Sequence, residues 1–223
     1  MRFPSKIKIL FKAINQLDLW QIFHFAVYRL GILSGVWRLL TPIKSRKKTI
    51  EPPKLEPNWF FPVPGEKQIQ KLDKETLDQI LQEADEICAG KVRLFSGDPV
   101  RLDLEPKLPL VHWTELERIQ HKEDMDIKYI WEPARFNWAI RLGQAYQVSG
   151  NEKYPKAFWK YFSQFAKENP INKGPNWLSA QEVALRLIHI VAALHFLRAS
   201  PSFTEKRIQV FCSSAAAHAN RII

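Results

Sequence analysis

The chain has 223 residues, of which 46% are hydrophobic and 25% are charged, a composition that excludes intrinsic disorder and allows one good-sized core. Lys and Arg outnumber Asp and Glu by 33 to 23, which favours a polyanionic partner: nucleic acid, an acidic membrane surface or an acidic polysaccharide. Much of this excess lies in residues 1–12 and 44–48, where a solvated tail and a linker explain it equally well.

Residues 1–42 are predicted to form a domain of basic amphipathic helices. Apolar side chains recur at helical spacing from Leu19 to Leu33, after an N-cap at Asp18. The segment has no signal-peptide pattern, and charged side chains interrupt its apolar run before it is long enough to span a bilayer. We expect a docking helix, with peripheral membrane contact through residues 1–40 as an alternative. No export signal is visible, so the sequence leaves the compartment open, with the cytoplasm only as the default.

Residues 43–66 are rich in proline and enclose a basic run, which indicates a linker or an extended strap rather than a helix. Trp59, Phe60 and Phe61 are expected to anchor this strap on the body of the protein. The third predicted domain, residues 67–223, begins with a helix over residues 74–88. A short extended or hairpin segment is predicted to follow near residues 91–113.

Helical periodicity dominates the rest of the chain. Pro133 is expected to open a helix that Gly150 closes. Because the loops are short, consecutive helices are expected to pack as antiparallel hairpins, which makes the fold all-α. The last helix carries no stop signal, so we expect the front part of a longer protein. The predicted helices span residues 134–148, 152–168 and 179–197, with another after Thr204.

No catalytic constellation emerges from the spacing of the residues. The sequence motifs of zinc peptidases, dinucleotide-binding folds and serine hydrolases are absent, and the six histidines are scattered. Cys88 and Cys212 lack the spacing of a metal site; buried free thiols are favoured, with a disulfide or a nucleophile as the alternatives. We therefore predict no metal, no cofactor and no catalytic residue in this chain.

The segment around Ser179 carries unusual polarity for an apolar helix. Ser179 and Glu182 have the spacing of a capping box, in which the hydroxyl accepts from the amide of residue 182 and the carboxylate reaches back. Glu182 and Arg186 also share one helix face, with the spacing and order of an ion pair. A buried Arg186 that pairs with Glu182 and faces a cleft could bind a carboxylate or a sulfate.

A second polar segment alternates charged side chains with indoles: Trp131, Glu132, Arg135 and Trp138. One interpretation is a helix N-terminus, where the helix dipole favours Glu132 and the two tryptophans belong to the core. The other is a sugar-binding platform beside an Arg–Glu pair. Spacing alone does not decide between them.

Part of the chain matches a tetratricopeptide pattern. A repeat of this class recurs after about 34 residues, and no second copy occurs there. A helical scaffold that binds a protein partner is therefore the alternative function. The matching residues are Leu142, Gly143, Tyr146, Ala157, Tyr161 and Pro170.

Three further blocks of sequence, Asp126–Phe136, Arg141–Tyr146 and Gly174–Arg186, occur in a characteristic order. Together they resemble the N-terminal helical domain of the heparinase II/III family of polysaccharide lyases and lyase-like proteins. The resemblance implies part of an incomplete (α/α) toroid of antiparallel helical hairpins. In that family the toroid is normally followed by a β-sandwich domain.

The resemblance also implies cleavage of a uronate-containing acidic polysaccharide by β-elimination. A neutral Asn holds the uronate carboxylate in such enzymes, and Tyr or His groups transfer the protons. These groups are expected downstream of residue 223, so the chain alone is expected to be inactive. Its expected partners are the acidic polysaccharide, the missing half of the toroid and the β-sandwich domain. No nucleic-acid partner is expected. The predicted substrate-binding or cleft-lining residues are Trp131, Glu132, Arg135, Asn176, Trp177, Glu182 and Arg186.

Overall fold

The computed structural model of the protein describes residues 18–43, 62–64, 66–119 and 126–222. The chain divides into two compact units, Met1–Pro42 and Ile43–Ile223. The predicted strap with its anchor at residues 59–61 lies almost entirely outside the described residues.

Two helices make up the described part of the first unit: α1, Leu19–Ser34, and α2, Val36–Leu40. Asp18 is the N-cap of α1, as predicted, and the Gln21 side chain accepts a hydrogen bond from its backbone amide at 3.3 Å. Gly35 ends α1 in the left-handed region, with φ of 79°, which costs glycine little. The chain then folds back, so that the Trp37 indole N–H donates to the Tyr28 carbonyl at 2.9 Å.

The second unit starts with a short helix, α3, Glu66–Ile69, and a longer one, α4, Lys74–Cys88. The bounds of α4 are those predicted from the sequence, and Asp73 caps it by accepting from the Thr76 amide at 2.8 Å. The predicted hairpin is also confirmed. Its strands, β1 and β2, pair antiparallel with Val92 opposite Val100, and they span Lys91–Arg93 and Pro99–Arg101.

The remaining elements are helical, and one predicted boundary is wrong. Pro133 does not open a long helix, because it lies inside a short one that ends at Ala134. Phe136 then adopts a left-handed φ of 60°, which breaks the helical path before the next helix begins at Ala139. The elements are α5, Trp113–Ile119; α6, Lys128–Ala134; α7, Ala139–Ser149; α8, Lys153–Glu168; a 3₁₀ turn, Pro175–Trp177; α9, Ala180–Leu197; and α10, Glu205–Ile222.

The core of the second unit is aromatic and centres on α8. Phe158, Trp159, Phe162 and Phe165 are all buried, since the apolar side of this amphipathic helix faces inward. Helices α7 and α9 approach closely, because a Cβ atom at Gly143 would lie only 2.6 Å from the Cβ atom of Phe196. The all-α class is confirmed, as the described residues are mostly helical with one two-stranded sheet. The toroidal arrangement stays a prediction.

Among the described residues, one helix is long and apolar enough to cross a membrane. This helix is α9, and 56% of it is buried inside the structure. Its burial is that of a core helix in the second unit, packed against α7 and α10.

Candidate functional site

Two of the sequence blocks that resemble the heparinase II/III family, Asp126–Phe136 and Gly174–Arg186, lie next to each other in the structure. They contain α6 and the start of α9. The Trp131 indole N–H donates to the Pro175 carbonyl at 2.9 Å, which joins α6 to the 3₁₀ turn. Arg135, the residue after α6, reaches Glu182 in the first turn of α9. Residues separated by more than 40 positions in the sequence therefore form one cluster.

At the centre of this cluster, Arg135 binds two carboxylates. Its Nε donates to Glu182 Oε2 at 2.6 Å and its Nη2 to Glu182 Oε1 at 2.8 Å, which is a bidentate pair. Its Nη1 donates to Glu132. The two carboxylates are almost fully buried, whereas the Arg135 side chain keeps 26% of its surface exposed. The hydrogen bond with Glu182 raises the pKa of Arg135, against the opposing effect of its burial.

This geometry corrects two predictions about Glu182. The Ser179 hydroxyl accepts from the Glu182 amide at 3.4 Å, as a capping residue should. The Glu182 carboxylate, however, does not reach back along the helix or pair with Arg186, because both of its oxygens accept from Arg135. A bidentate guanidinium from another segment outweighs an i,i+4 contact, which stabilises a helix by only about 0.2–0.5 kcal/mol.

Arg186 is the most completely enclosed charged residue of the cluster. Its side chain is 0% exposed; Nε donates to the Ala134 carbonyl at 2.7 Å and Nη2 to the Asn176 carbonyl at 2.8 Å. Its guanidinium also lies over the Phe165 ring, 4.7 Å from the centroid. Arg186 thus joins the end of α6 to the 3₁₀ turn. It has no exposed surface for the carboxylate or sulfate that the sequence suggested.

Asn176 and Trp177 are buried in the same way, at 1% and 2% exposure. The Asn176 amide donates to the Asn169 side chain at 2.8 Å, and the Trp177 indole donates to the Asn169 carbonyl at 3.2 Å. Three of the seven predicted cleft residues therefore support the cluster from inside. Trp131 and Arg135 are the two that keep substantial surface.

His218 on α10 completes the interior around Arg186. Its Nδ1 lies 2.8 Å from the Ser214 carbonyl, which can only accept, so Nδ1 carries the proton. Its Nε2 is then free to accept from Arg186 Nη1 at 3.4 Å. Burial, together with the charge of Arg186, lowers the pKa of His218 to about 3. The imidazole is therefore neutral in the folded protein at ordinary pH.

This histidine is expected to make the fold acid-sensitive. Between pH 6.5 and about 3 the unfolded chain binds a proton at His218 that the folded chain does not, so the free energy of unfolding falls as the pH decreases through that window. The loss is roughly 1 kcal/mol per pH unit. Urea unfolding of the wild type and His218→Gln at pH 7 and pH 5 checks this, because the variant should lose less stability on acidification. Equal losses would contradict the assignment.

A polar groove of about 870 Å³ runs beside the cluster, between α4, the hairpin and α7. Its basic side chains are partly neutralised: Arg93 pairs with Glu86 at 2.9 Å, and Arg141 pairs with Glu83 at 2.7 Å. Glu132 from the cluster also lines this groove. Amides and ion pairs of this kind offer both donors and acceptors for hydroxyl groups.

The sequence interpretation missed this groove. Its walls are the polar faces of α4 and α7, which include Gln79, Glu83 and Gln144, and polar faces of amphipathic helices usually meet only solvent. The available signal was Arg141, the first residue of the block Arg141–Tyr146 that resembles the heparinase II/III family.

Thiols and metal-binding side chains add no further site among the residues that the structure describes. Cys88 and Cys212 are free; Cys212 is buried and Cys88 is half-buried. Burial raises the pKa of both thiols. No group of three or more His, Cys, Asp or Glu side chains is placed to hold a metal ion within the described ranges.

Comparison with known proteins places these residues in a family. Residues 108–223, more than half of the chain, match the family model "Heparinase II/III N-terminus". A heparin-sulfate lyase from Bacteroides stercoris is 29% identical over 129 residues, which cover 45% of this chain and 19% of that relative. The chain thus spans about a fifth of that relative's length, and no solved structure gives a significant match. The chain belongs to the heparinase II/III N-terminus family.

Proposed function

We propose that this chain is the N-terminal, polysaccharide-binding part of a lyase that cleaves uronate-containing acidic polysaccharide by β-elimination. The observation that carries the proposal is the family match over residues 108–223, which includes the Arg135 cluster. A relative of this chain is a heparin-sulfate lyase, so heparan sulfate is the first substrate to test.

The chain's own part in this reaction is to bind and orient the polymer. Trp131 is fixed by its bond to Pro175 and keeps part of its indole exposed, as a surface on which a sugar ring can stack. Arg135 keeps 26% of its side chain exposed, while Glu132 and Glu182 hold its orientation. The groove beside them supplies hydrogen-bonding groups for sugar hydroxyls.

Proton transfer is assigned to residues downstream of position 223. In β-elimination a base removes the C5 proton of the uronate, the C4–O bond breaks, and an acid protonates the leaving oxygen. Several tyrosines and histidines of the described residues already have structural partners: Tyr154 donates to Asp85 and Tyr161 to the Ile87 carbonyl, both at 3.0 Å. His218 is buried and neutral. This supports the expectation that the chain alone binds without cleaving.

The test is to incubate the chain with heparan sulfate, heparin and alginate, and to measure both binding and the ultraviolet absorbance of unsaturated product. We expect binding without product. Lys91→Glu should weaken binding about tenfold, because Lys91 is exposed and lines the groove and the change reverses its charge. Lys206→Glu, an exposed position outside the groove, is the matched control and should change little.

Two results would contradict the proposal. Turnover by the chain itself would place the proton-transfer groups within these residues. Failure to bind any uronate polymer would remove the polysaccharide role and would favour the alternative of a helical scaffold for a protein partner.

A further inference from the structure

The first unit exposes an apolar helix face that the second unit's proposed function does not use. The side chains of this face are largely exposed; Leu19 reaches 82% and Leu33 67%. At 100° per residue they fall within a single sector of α1. We call this set the α1 apolar face, and it consists of Leu19, Trp20, Phe23, Val27, Leu30 and Leu33.

Among the described residues of the first unit, 18–42, helix α2 leaves this face uncovered. It folds back against another side of α1, where Trp37 bonds to the Tyr28 carbonyl and its indole occupies the space that a Cβ at Gly31 would need. Helix α2 adds exposed apolar side chains of its own, Leu39 at 80% and Leu40 at 62%. So much exposed apolar surface in one small unit marks an interaction site.

The charge of the surrounding sequence favours one kind of partner for this face. Residues 1–48 contain ten of the 33 Lys and Arg residues but only one of the 23 Asp and Glu residues. This stretch therefore carries +9 of the net charge of +10, and residues 49–223 carry only +1. A sequence in which basic residues flank an apolar helix on both sides complements an anionic lipid surface, where apolar side chains enter the acyl boundary and basic ones meet headgroups.

Other occupants fit these observations less well. A second copy of the chain would bring two stretches of +9 together, and their repulsion opposes association. An acidic polysaccharide would satisfy the charge but would leave the apolar face in water. Helix α1 has 16 residues, about 24 Å of helix, whereas the hydrocarbon core is about 30 Å thick. It is therefore suited to lie in the interface rather than to cross it.

We propose that the first unit attaches the protein to an anionic membrane surface through the α1 apolar face, with α1 lying in the plane of the interface. Trp20 and Phe23, whose rings stack with centroids 5.9 Å apart, form its aromatic anchor. Aromatic rings of this kind favour the headgroup level. Arg29, exposed on the same helix, faces the lipid phosphates.

The test uses the full chain and sedimentation with phosphatidylcholine vesicles, with and without phosphatidylglycerol. We expect binding to the anionic vesicles only, and binding that falls as salt rises. Phe23→Glu should weaken it about tenfold or more, because a charge replaces a ring that enters the acyl boundary when the protein is bound. Phe25→Glu is the matched control: Phe25 has similar exposure, 63% against 56%, but lies outside the apolar face, so binding should be nearly unchanged.

Three outcomes would overturn the proposal. They are failure to bind anionic vesicles, equal loss in both variants, and a dimer in solution that Phe23→Glu dissociates, which would make this face a contact between copies. Heparan sulfate binding measured on the same variants separates this proposal from the polysaccharide one. We expect Phe23→Glu to leave it unchanged, because the groove lies in the second unit.

Discussion

Replacing Arg186 with Lys is expected to cost about 3–5 kcal/mol in the free energy of unfolding, the usual range for a broken buried charge contact. The guanidinium donates from two nitrogens to carbonyls of two different segments, those of Ala134 and Asn176. A lysine ammonium is a single point that cannot reach both with the same geometry. One buried carbonyl is then left without its donor, and the remaining charge is poorly solvated.

Urea unfolding followed by tryptophan fluorescence measures this cost. Arg198→Lys is the matched control, because Arg198 lies at the end of the same helix, is half-buried and donates to one carbonyl, that of His195, at 2.8 Å. It should change stability by less than about 1 kcal/mol. Arg186→Met, which removes the charge and keeps the length, should also be destabilised. A stable Arg186→Lys protein would contradict the interior role of this residue.

Removing the charge of Glu182 is expected to have the second largest effect, about 2–4 kcal/mol for Glu182→Gln. Gln keeps the shape of the side chain but offers one oxygen instead of two, so the bidentate pair with Arg135 is lost. Because the Glu182 side chain is only 7% exposed, water does not compensate for the missing contact. Arg135 would keep its ion pair with Glu132 and at most one hydrogen bond to the remaining oxygen at position 182.

A double-mutant cycle isolates the pair. Arg135→Gln combined with Glu182→Gln should cost less than the sum of the single changes, with a coupling energy of about 1–3 kcal/mol. The pair of Arg93 and Glu86 provides the control, since it has the same bidentate form but is 37% and 20% exposed. Its coupling should stay below about 1 kcal/mol. Equal coupling in both pairs would show that burial does not strengthen the Glu182 contact.

The sequence predictions were accurate where the interactions join residues that are close together in the sequence. Helix α4 was predicted with its observed bounds, because helical periodicity depends on side chains only three or four residues apart. The same holds for the Ser179 cap and for the β1–β2 hairpin. The break at Phe136 was missed, since a non-glycine residue with positive φ has no dependable sequence signal.

The contacts within the Arg135 cluster were not predicted from the sequence. Glu182 was assigned to Arg186, four residues away, whereas its partner Arg135 is 47 residues away in the sequence. Spacing rules cannot find a partner at that distance. The burial of Arg186 and Asn176 followed from the packing of α6, α9 and α10, which depends on several long-range contacts at once.

The close approach of α7 and α9 at Gly143 also sets the position of one wall of the polar groove. Residues 141 and 144, on either side of this glycine, project into the groove, while residue 143 touches Phe196 on α9. The wall of the groove is therefore held at its distance from the core by the absence of a methyl group. A larger residue at position 143 would have to move α7 away from α9, and with it this wall of the groove.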